Sequence, residues 1–201
     1  MRINFAAGAT ASVVSGELHP GEVQNFLVGA SAGQPLVVST GSYNNDVTFS
    51  VTGVKNGQIL LDASQKLTSW QTMLTETQDY LIHVYAGASA ENFTLNVITP
   101  ARSTVPLGTV SATEIGTTPG ELVVSYILRA SINQQMDITL DAPNMGALLS
   151  VYGYQDVQPY LRSAAGSQTF SMKLPATQDY VIQVEPNAGQ VANYSLNITV
   201  K

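Results

Sequence analysis

Hydrophobic and polar residues alternate one by one along most of this chain. Val47, Phe49 and Val51 are interleaved with Thr48, Ser50 and Thr52; Tyr80, Ile82 and Val84 with Leu81, His83 and Tyr85; Phe93, Leu95 and Val97 with Thr94, Asn96 and Ile98. A period of two marks strands that bury one face and wet the other. Turn formers break the runs at short intervals, at Pro20-Gly21, Ala32-Gly33, Tyr43-Asn44-Asn45-Asp46, Lys55-Asn56-Gly57 and Thr77-Gln78-Asp79. No segment carries the periodicity of an amphipathic helix. The pattern predicts an all-β chain of short antiparallel strands.

The same pattern then returns 100 residues later. Leu74-Thr75-Glu76-Thr77-Gln78-Asp79-Tyr80-Leu81-Ile82-His83-Val84 is matched by Leu174-Pro175-Ala176-Thr177-Gln178-Asp179-Tyr180-Val181-Ile182-Gln183-Val184. The offset also carries Arg2 to Arg102, Gly8 to Gly108, Gly16 to Gly116, Ala30-Ser31 to Ala130-Ser131 and Gln34 to Gln134. One extra residue shifts Asn92-Phe93-Thr94-Leu95-Asn96-Val97 onto Asn193-Tyr194-Ser195-Leu196-Asn197-Ile198. A period this long is a whole small domain, well beyond the roughly 20–50 residues of solenoid repeats. Two copies are expected, residues 1–100 and 101–201. Each reads as eight or nine strands in two packed sheets, a jelly-roll-like antiparallel β-sandwich. The link Thr99-Pro100-Ala101-Arg102-Ser103 is short and contains a proline. Each copy also serves as a control for the other, because residues the fold requires recur and a site special to one copy does not.

Composition narrows the function classes. Charged residues make up 11% of the chain, against a usual figure of about 25%, and Ser, Thr, Asn, Gln and Gly supply the polarity. The first copy has three basic residues (Arg2, Lys55, Lys66) against seven acidic ones, a net of −4; the second has five against seven, a net of −2. Without a basic cluster, nucleic acid and anionic membrane surfaces are poor partners. No apolar run is long enough for a transmembrane segment. There is no cysteine, which excludes disulfides and thiolate metal sites. The repeat begins at once with Arg2-Ile3-Asn4-Phe5, so Met1 reads as the start of a trimmed mature form. The weakly charged, Thr/Ser/Asn-rich character favours an extracellular or cell-surface setting.

The order of these elements resembles a known family. Gly16-Glu17-Leu18 leads to the aromatic of Gln24-Asn25-Phe26, then to Ala30-Ser31-Ala32-Gly33-Gln34 before an apolar strand. Asp46 and a strand follow, then Trp70 before Leu74, the Thr77-Gln78-Asp79-Tyr80 turn, and the closing Asn92-Phe93-Thr94-Leu95-Asn96-Val97. This resembles the bacterial pre-peptidase C-terminal (PPC) domain, a secreted β-sandwich accessory module, and its relatives the periplasmic inhibitors of g-type lysozyme. It looks most like tandem modules of surface proteins in Chloroflexi-type bacteria. The second copy departs at Asn133 for Gly33, Gly146 for Asp46 and Phe170 for Trp70. The resemblance implies accessory roles: carbohydrate or protein binding, adhesion, inhibition or spacing.

Few residues carry chemistry. His83 sits opposite Gln183 in the repeat and His19 precedes a turn; neither falls in a recognisable nucleophile or zinc motif, so the chain is expected not to be an enzyme. Asp79 and Asp179 recur as turn residues whose carboxylates can accept nearby backbone N–H groups. Asn44, Asn45 and Asp46 form the best oxygen-rich cluster for calcium, with Asp137, Asp141 and Asn144 a weaker one; both lack the several carboxylates in series that calcium, with roughly six to eight oxygens, favours. Otherwise no cofactor is expected. Trp70 and Phe170 are matched and should cover the sandwich cores. Tyr152, Tyr154 and Tyr160 are unmatched: either they form an exposed patch suited to sugar rings or protein contacts, or they pack against the first domain or a neighbouring strand. Asn92-Phe93-Thr94, Asn193-Tyr194-Ser195 and Asn197-Ile198-Thr199 fit the glycosylation sequon, which the closing strand explains without a glycan.

The leading expectation is a non-catalytic extracellular structural or adhesive module. Its sparsely charged closing and edge strands would permit pairing with itself as a homo-oligomer or filament. The alternatives are a carbohydrate-binding module for surface polysaccharide that uses the tyrosines, and a lysozyme inhibitor.

Overall fold

Eight strands build the first half of the chain: β1 (Ala11–Leu18), β2 (Val23–Ala30), β3 (Pro35–Ser42), β4 (Thr48–Gly53), β5 (Ile59–Leu61), β6 (Ser69–Met73), β7 (Gln78–Tyr85) and β8 (Glu91–Ile98). The second half opens with a two-residue strand, β9 (Ala101–Arg102), and repeats the set. Its members are β10 (Ser111–Thr117), β11 (Val124–Ala130), β12 (Gln135–Asp141), β13 (Ala147–Gly153), β14 (Pro159–Leu161), β15 (Thr169–Lys173), β16 (Gln178–Pro186) and β17 (Asn193–Val200). The computed structural model describes residues 1–102, 111–118, 123–187 and 191–201; Gly108 and Ser103, read above as a repeat match and part of the link, lie outside them. Two compact units result, Met1–Phe5 with Ala11–Thr99, and Ala6–Thr10 with Pro100–Lys201.

Each unit is a sandwich of two sheets. The first has orders β1-β8-β3-β6 and β2-β7-β4-β5; the second has β10-β17-β12-β15 and β14-β13-β16-β11-β9. Apart from the β4–β5 and β13–β14 hairpins, consecutive strands of the eight-strand set cross between sheets, which is the connectivity of a jelly-roll-like sandwich. The eight-strand pairings are antiparallel, while β9 runs parallel to β11 at Arg102↔Ile127, as Arg2 bridges to Leu27. The inward residues of the alternating runs fill each core: Phe26, Leu36, Phe49, Ile82 and Leu95 in the first unit, Met136, Leu149, Ile182 and Leu196 in the second. Burying each such side chain contributes about 1.5–3 kcal/mol. Trp70 packs half-buried on the first core and Phe170 is buried in the second.

The recurring Thr-Gln-Asp-Tyr motif is explained bond by bond. Thr77 Oγ1 accepts the Ala32 N–H at 3.0 Å, and Thr177 Oγ1 that of Ile132 at 2.8 Å. Gln78 Oε1 accepts the Lys55 N–H at 2.8 Å, and Gln178 Oε1 that of Gln155 at 3.2 Å. Tyr80 and Tyr180 donate their hydroxyls to the carbonyls of Glu76 and Ala176 at 2.6 and 2.7 Å. Asp79 differs from expectation: its carboxylate is gripped by the Arg2 guanidinium at 2.7 and 2.9 Å rather than by local backbone. A forked guanidinium matches both carboxylate oxygens at once, whereas in the second unit the Asp179 carboxylate lies 3.7 Å from the Arg129 guanidinium. The closing strands also differ from expectation. β8 lies between β1 and β3, and β17 between β10 and β12. They are interior strands with both edges paired, so they offer no template for self-assembly.

Left-handed backbone recurs at matched positions whatever residue stands there. Gly33 (φ 79°) is matched by Asn133 (φ 70°), and Gly57 (φ 66°) by Val157 (φ 56°). Asparagine tolerates this region, whereas a β-branched valine there is strained.

Candidate functional site

β4 and β13 each carry a bulge at the same place, where the register shifts between Val51 and Thr52 and between Val151 and Tyr152. Bulges re-aim side chains beside functional sites. In the second unit, Tyr152 follows the bulge and forms a wall of a cleft of about 420 Å³ on the outer side of the β14-β13-β16 sheet. Ser150 of β13 and Gln183 and Glu185 of β16 line it, with Val157, Pro159 and Leu161 from the hairpin, Arg162 after it, and Ser163 and Ala164 from the following 3₁₀ turn, Ser163–Ala165. The volume lies within the range of about 300–1,000 Å³ usual for small-molecule sites.

The lining is held in place by hydrogen bonds. The Ser150 hydroxyl donates to the Glu185 carboxylate and accepts the Ser163 N–H at 2.9 Å, tying sheet to turn. Gln183 Nε2 donates to Ser125 Oγ at 3.2 Å. Burial pushes the Tyr152 phenol up to about 12, with Tyr154 and Glu185 adding to it, so at neutral pH it is a protonated donor. Arg162 precedes the turn and gives it no side-chain cap, leaving the guanidinium exposed at the rim.

The first unit builds the same positions differently. Thr52, Gly57, Asp62, His83 and Tyr85 stand where the second has Tyr152, Val157, Arg162, Gln183 and Glu185. Ser50 Oγ there meets the Tyr85 hydroxyl at 3.0 Å, and His83 Nδ1 meets Asn25 Oδ1 at 2.7 Å. Asp62 caps its turn by accepting the Ser64 N–H at 2.9 Å, and the Ser64 hydroxyl, followed by that N–H, holds its carboxyl below the usual range. The fold therefore works without Tyr152, Arg162, Gln183 or Glu185.

Of the three tyrosines read as one patch, only Tyr152 lines the cleft. Tyr160 is turned inward, its ring 5.8 Å from that of Tyr180, its hydroxyl donating to Asp156 at 2.5 Å and accepting from Gln178 Nε2 at 3.3 Å. Burial, then Asp156, pushes its phenol up to about 12. Tyr154 is half-buried in the turn, raised by burial and by Asp179. The three rings do not form one exposed patch, because Tyr160 packs inward on Tyr180 with its hydroxyl held by Asp156, while Tyr154 stays near enough to Tyr152 to raise its phenol. Arg162, Gln183 and Glu185 were missed; the signal that could have found them is their mismatch between the copies.

The oxygen-rich turn is rearranged as well. Asn44 spends its amide on Ser89 Oγ at 3.1 Å, and Asn45 turns the chain with φ 56°. Asp46 Oδ2 accepts the Ala88 N–H at 2.9 Å, and Glu91, which pattern alone did not single out, lies beside it. Asp137 of the weaker cluster is engaged by Ser171 at 2.7 Å and Gln135 at 3.0 Å. No group of three or more His, Cys, Asp and Glu gathers among the described residues, and no helix among them is long and apolar enough to cross a membrane.

No family model matches the chain, and no curated protein matches it. Among solved structures it is similar to the periplasmic inhibitor of g-type lysozyme PliG from Aeromonas hydrophila: 22% identity over 51% of this chain and 96% of that one, TM-score 0.45. PliG of Salmonella Typhimurium gives 23% identity over 51% and 97%, TM-score 0.39. The CUB1-EGF-CUB2 domains of rat MASP-1 align over 99% of each chain at 8% identity, TM-score 0.31.

Proposed function

We propose that this chain is a non-catalytic, extracellular or periplasmic adhesive module of PPC-like type, and that its second unit binds a carbohydrate in the Tyr152 cleft. The observation that carries this reading is the one-sided lining: eight of the ten cleft residues differ from their first-unit counterparts, Ser150 and Leu161 alone being matched, while the frame around them repeats. Sugar binding suits the chemistry. An aromatic face covers the apolar side of a pyranose, and planar Arg, Gln and Glu groups bond its hydroxyls in fixed directions. Hydrolysis of a glycosidic bond ordinarily needs two carboxyl groups, and Glu185 is the one carboxylate among the lining residues, which favours binding over cleavage.

The test is an array of cell-wall and exopolysaccharide oligosaccharides probed with the whole chain, followed by calorimetry on any hit. Tyr152→Ala should weaken binding at least about tenfold, the loss of roughly 1.4 kcal/mol, and Arg162→Asp should do the same. The double variant Tyr152→Thr/Arg162→Asp carries the first unit's own residues and should fold normally while losing the ligand. Retained affinity in these variants would overturn the reading. A chain that binds no glycan yet abolishes g-type lysozyme activity in excess would belong instead with the inhibitors.

A further inference from the structure

We propose that the first unit holds a divalent cation, calcium by its chemistry, in the corner formed by the β3–β4 turn and the start of β8. Among the described residues, three side-chain oxygens are sealed from solvent without a hydrogen-bond partner: Ser42 Oγ, Asp46 Oδ1 and Glu91 Oε1. All three belong to this corner. Each carboxylate is anchored through its other oxygen, Asp46 Oδ2 by the Ala88 N–H at 2.9 Å and Glu91 Oε2 by the Asn44 N–H at 3.1 Å. The two carboxyl groups also lie within hydrogen-bonding reach of each other. Gly87 backs the Asp46 carboxylate so closely that a Cβ would sit 2.1 Å from it. Buried oxygens left unmet are costly, and their usual explanation is an ion or water.

The second unit shows that the fold does not require these acids. Ala142, Gly146 and Ala192 stand where the first unit has Ser42, Asp46 and Glu91, and Asn187 replaces Gly87. That corner closes directly: the Asn187 N–H donates to the Gly146 carbonyl at 2.9 Å, and its Nδ2 to the Met145 carbonyl at 3.0 Å. The three oxygen bearers are thus present together in one copy and absent together in the other. The donors are all hard oxygens, which suits calcium or magnesium rather than zinc or copper, and calcium accepts the irregular geometry of a loop. A proton shared between Asp46 and Glu91 is the rival occupant.

Thermal melts and calorimetry on the full chain decide between them. In calcium at about 1 mM, the range of extracellular sites, the wild type should melt several degrees higher than in EDTA, because an ion bound only by the folded state stabilises it. Glu91→Gln should lose that shift. Ser42→Ala/Asp46→Gly/Glu91→Ala, which installs the second unit's residues, should fold and be indifferent to calcium. An unchanged wild-type melting temperature, or an equal shift in the triple variant, would overturn the site. So would a wild type that gains stability on mild acidification and ignores calcium, which is the behaviour of a shared proton.

Discussion

One buried aromatic pair shows how far single residues explain the two units. In the first, Phe26 and Phe93 meet edge to face with ring centres 6.2 Å apart. Gly16 is required beside them, since a Cβ there would lie 2.7 Å from Phe93 Cε1. In the second, Tyr126 and Tyr194 take these places and their hydroxyls hydrogen-bond at 2.8 Å in the buried interior. Burial raises both phenols above their ordinary values. Tyr194→Phe leaves the Tyr126 hydroxyl unpartnered, so it should cost about 1–3 kcal/mol. Tyr126→Phe/Tyr194→Phe rebuilds the first unit's pair and should recover most of that loss. Urea denaturation of the single and double variants checks this; a double variant worse than the single would show that the hydroxyl pair stabilises the unit by itself.

The β13–β14 hairpin is the element on which sequence and function part. Val157 holds a left-handed conformation that Gly57 adopts freely in the first unit, and it remains 65% exposed at the cleft. Strain kept at an exposed position points to a use. Val157→Gly should therefore stabilise the chain by about 1 kcal/mol, relief of the strained backbone outweighing glycine's entropy, while weakening the ligand. A melt and a titration of the same variant measure both, and a lower melting temperature would refute the strain. The strands were legible because a period of two follows directly from burying one face, and the duplication was legible because the Thr-Gln-Asp-Tyr turn recurs residue for residue. The cleft was not. Tyr152, Arg162, Gln183 and Glu185 are spread over 34 positions in sequence and converge only through the pairing of β13 with β14 and β16. The tyrosine run, by contrast, was visible but only partly informative, because the hairpin turns Tyr160 inward onto Tyr180 and Asp156. Glu91 was hidden for a similar reason, since it reaches Asp46 from a different strand.

For the molecule as a whole, duplication supplies two similar frames with unequal electrostatics. In the first unit, Arg2 holds the Asp79 carboxyl below its ordinary range, Ser64 that of Asp62, and Glu91 with Ala88 that of Asp46. In the second, Ser171 and Gln135 depress Asp137, and against the opposing effect of burial Tyr160, Gln158 and Gln178 depress Asp156. A carboxyl with a lower pKa folded than unfolded stabilises the fold fully above the unfolded value, near 3.9 for aspartate. That stabilisation is lost as pH falls through the folded value, because the unfolded state binds the extra proton. Stability conferred by these groups should thus be level down to about pH 5 and decline below about pH 4. More of them sit in the first unit, so it should yield to acid first, and two units need not unfold as one cooperative system. Trp70 is the chain's one tryptophan and packs on the first unit's core, so its fluorescence reports that unit while far-UV circular dichroism reports both. In acid titration in EDTA, the Trp70 transition should occur at higher pH than the circular dichroism transition, and Asp79→Asn should narrow the gap by removing a carboxyl from the balance. Coincident transitions in the wild type would show that the carboxyl asymmetry does not set the order of unfolding.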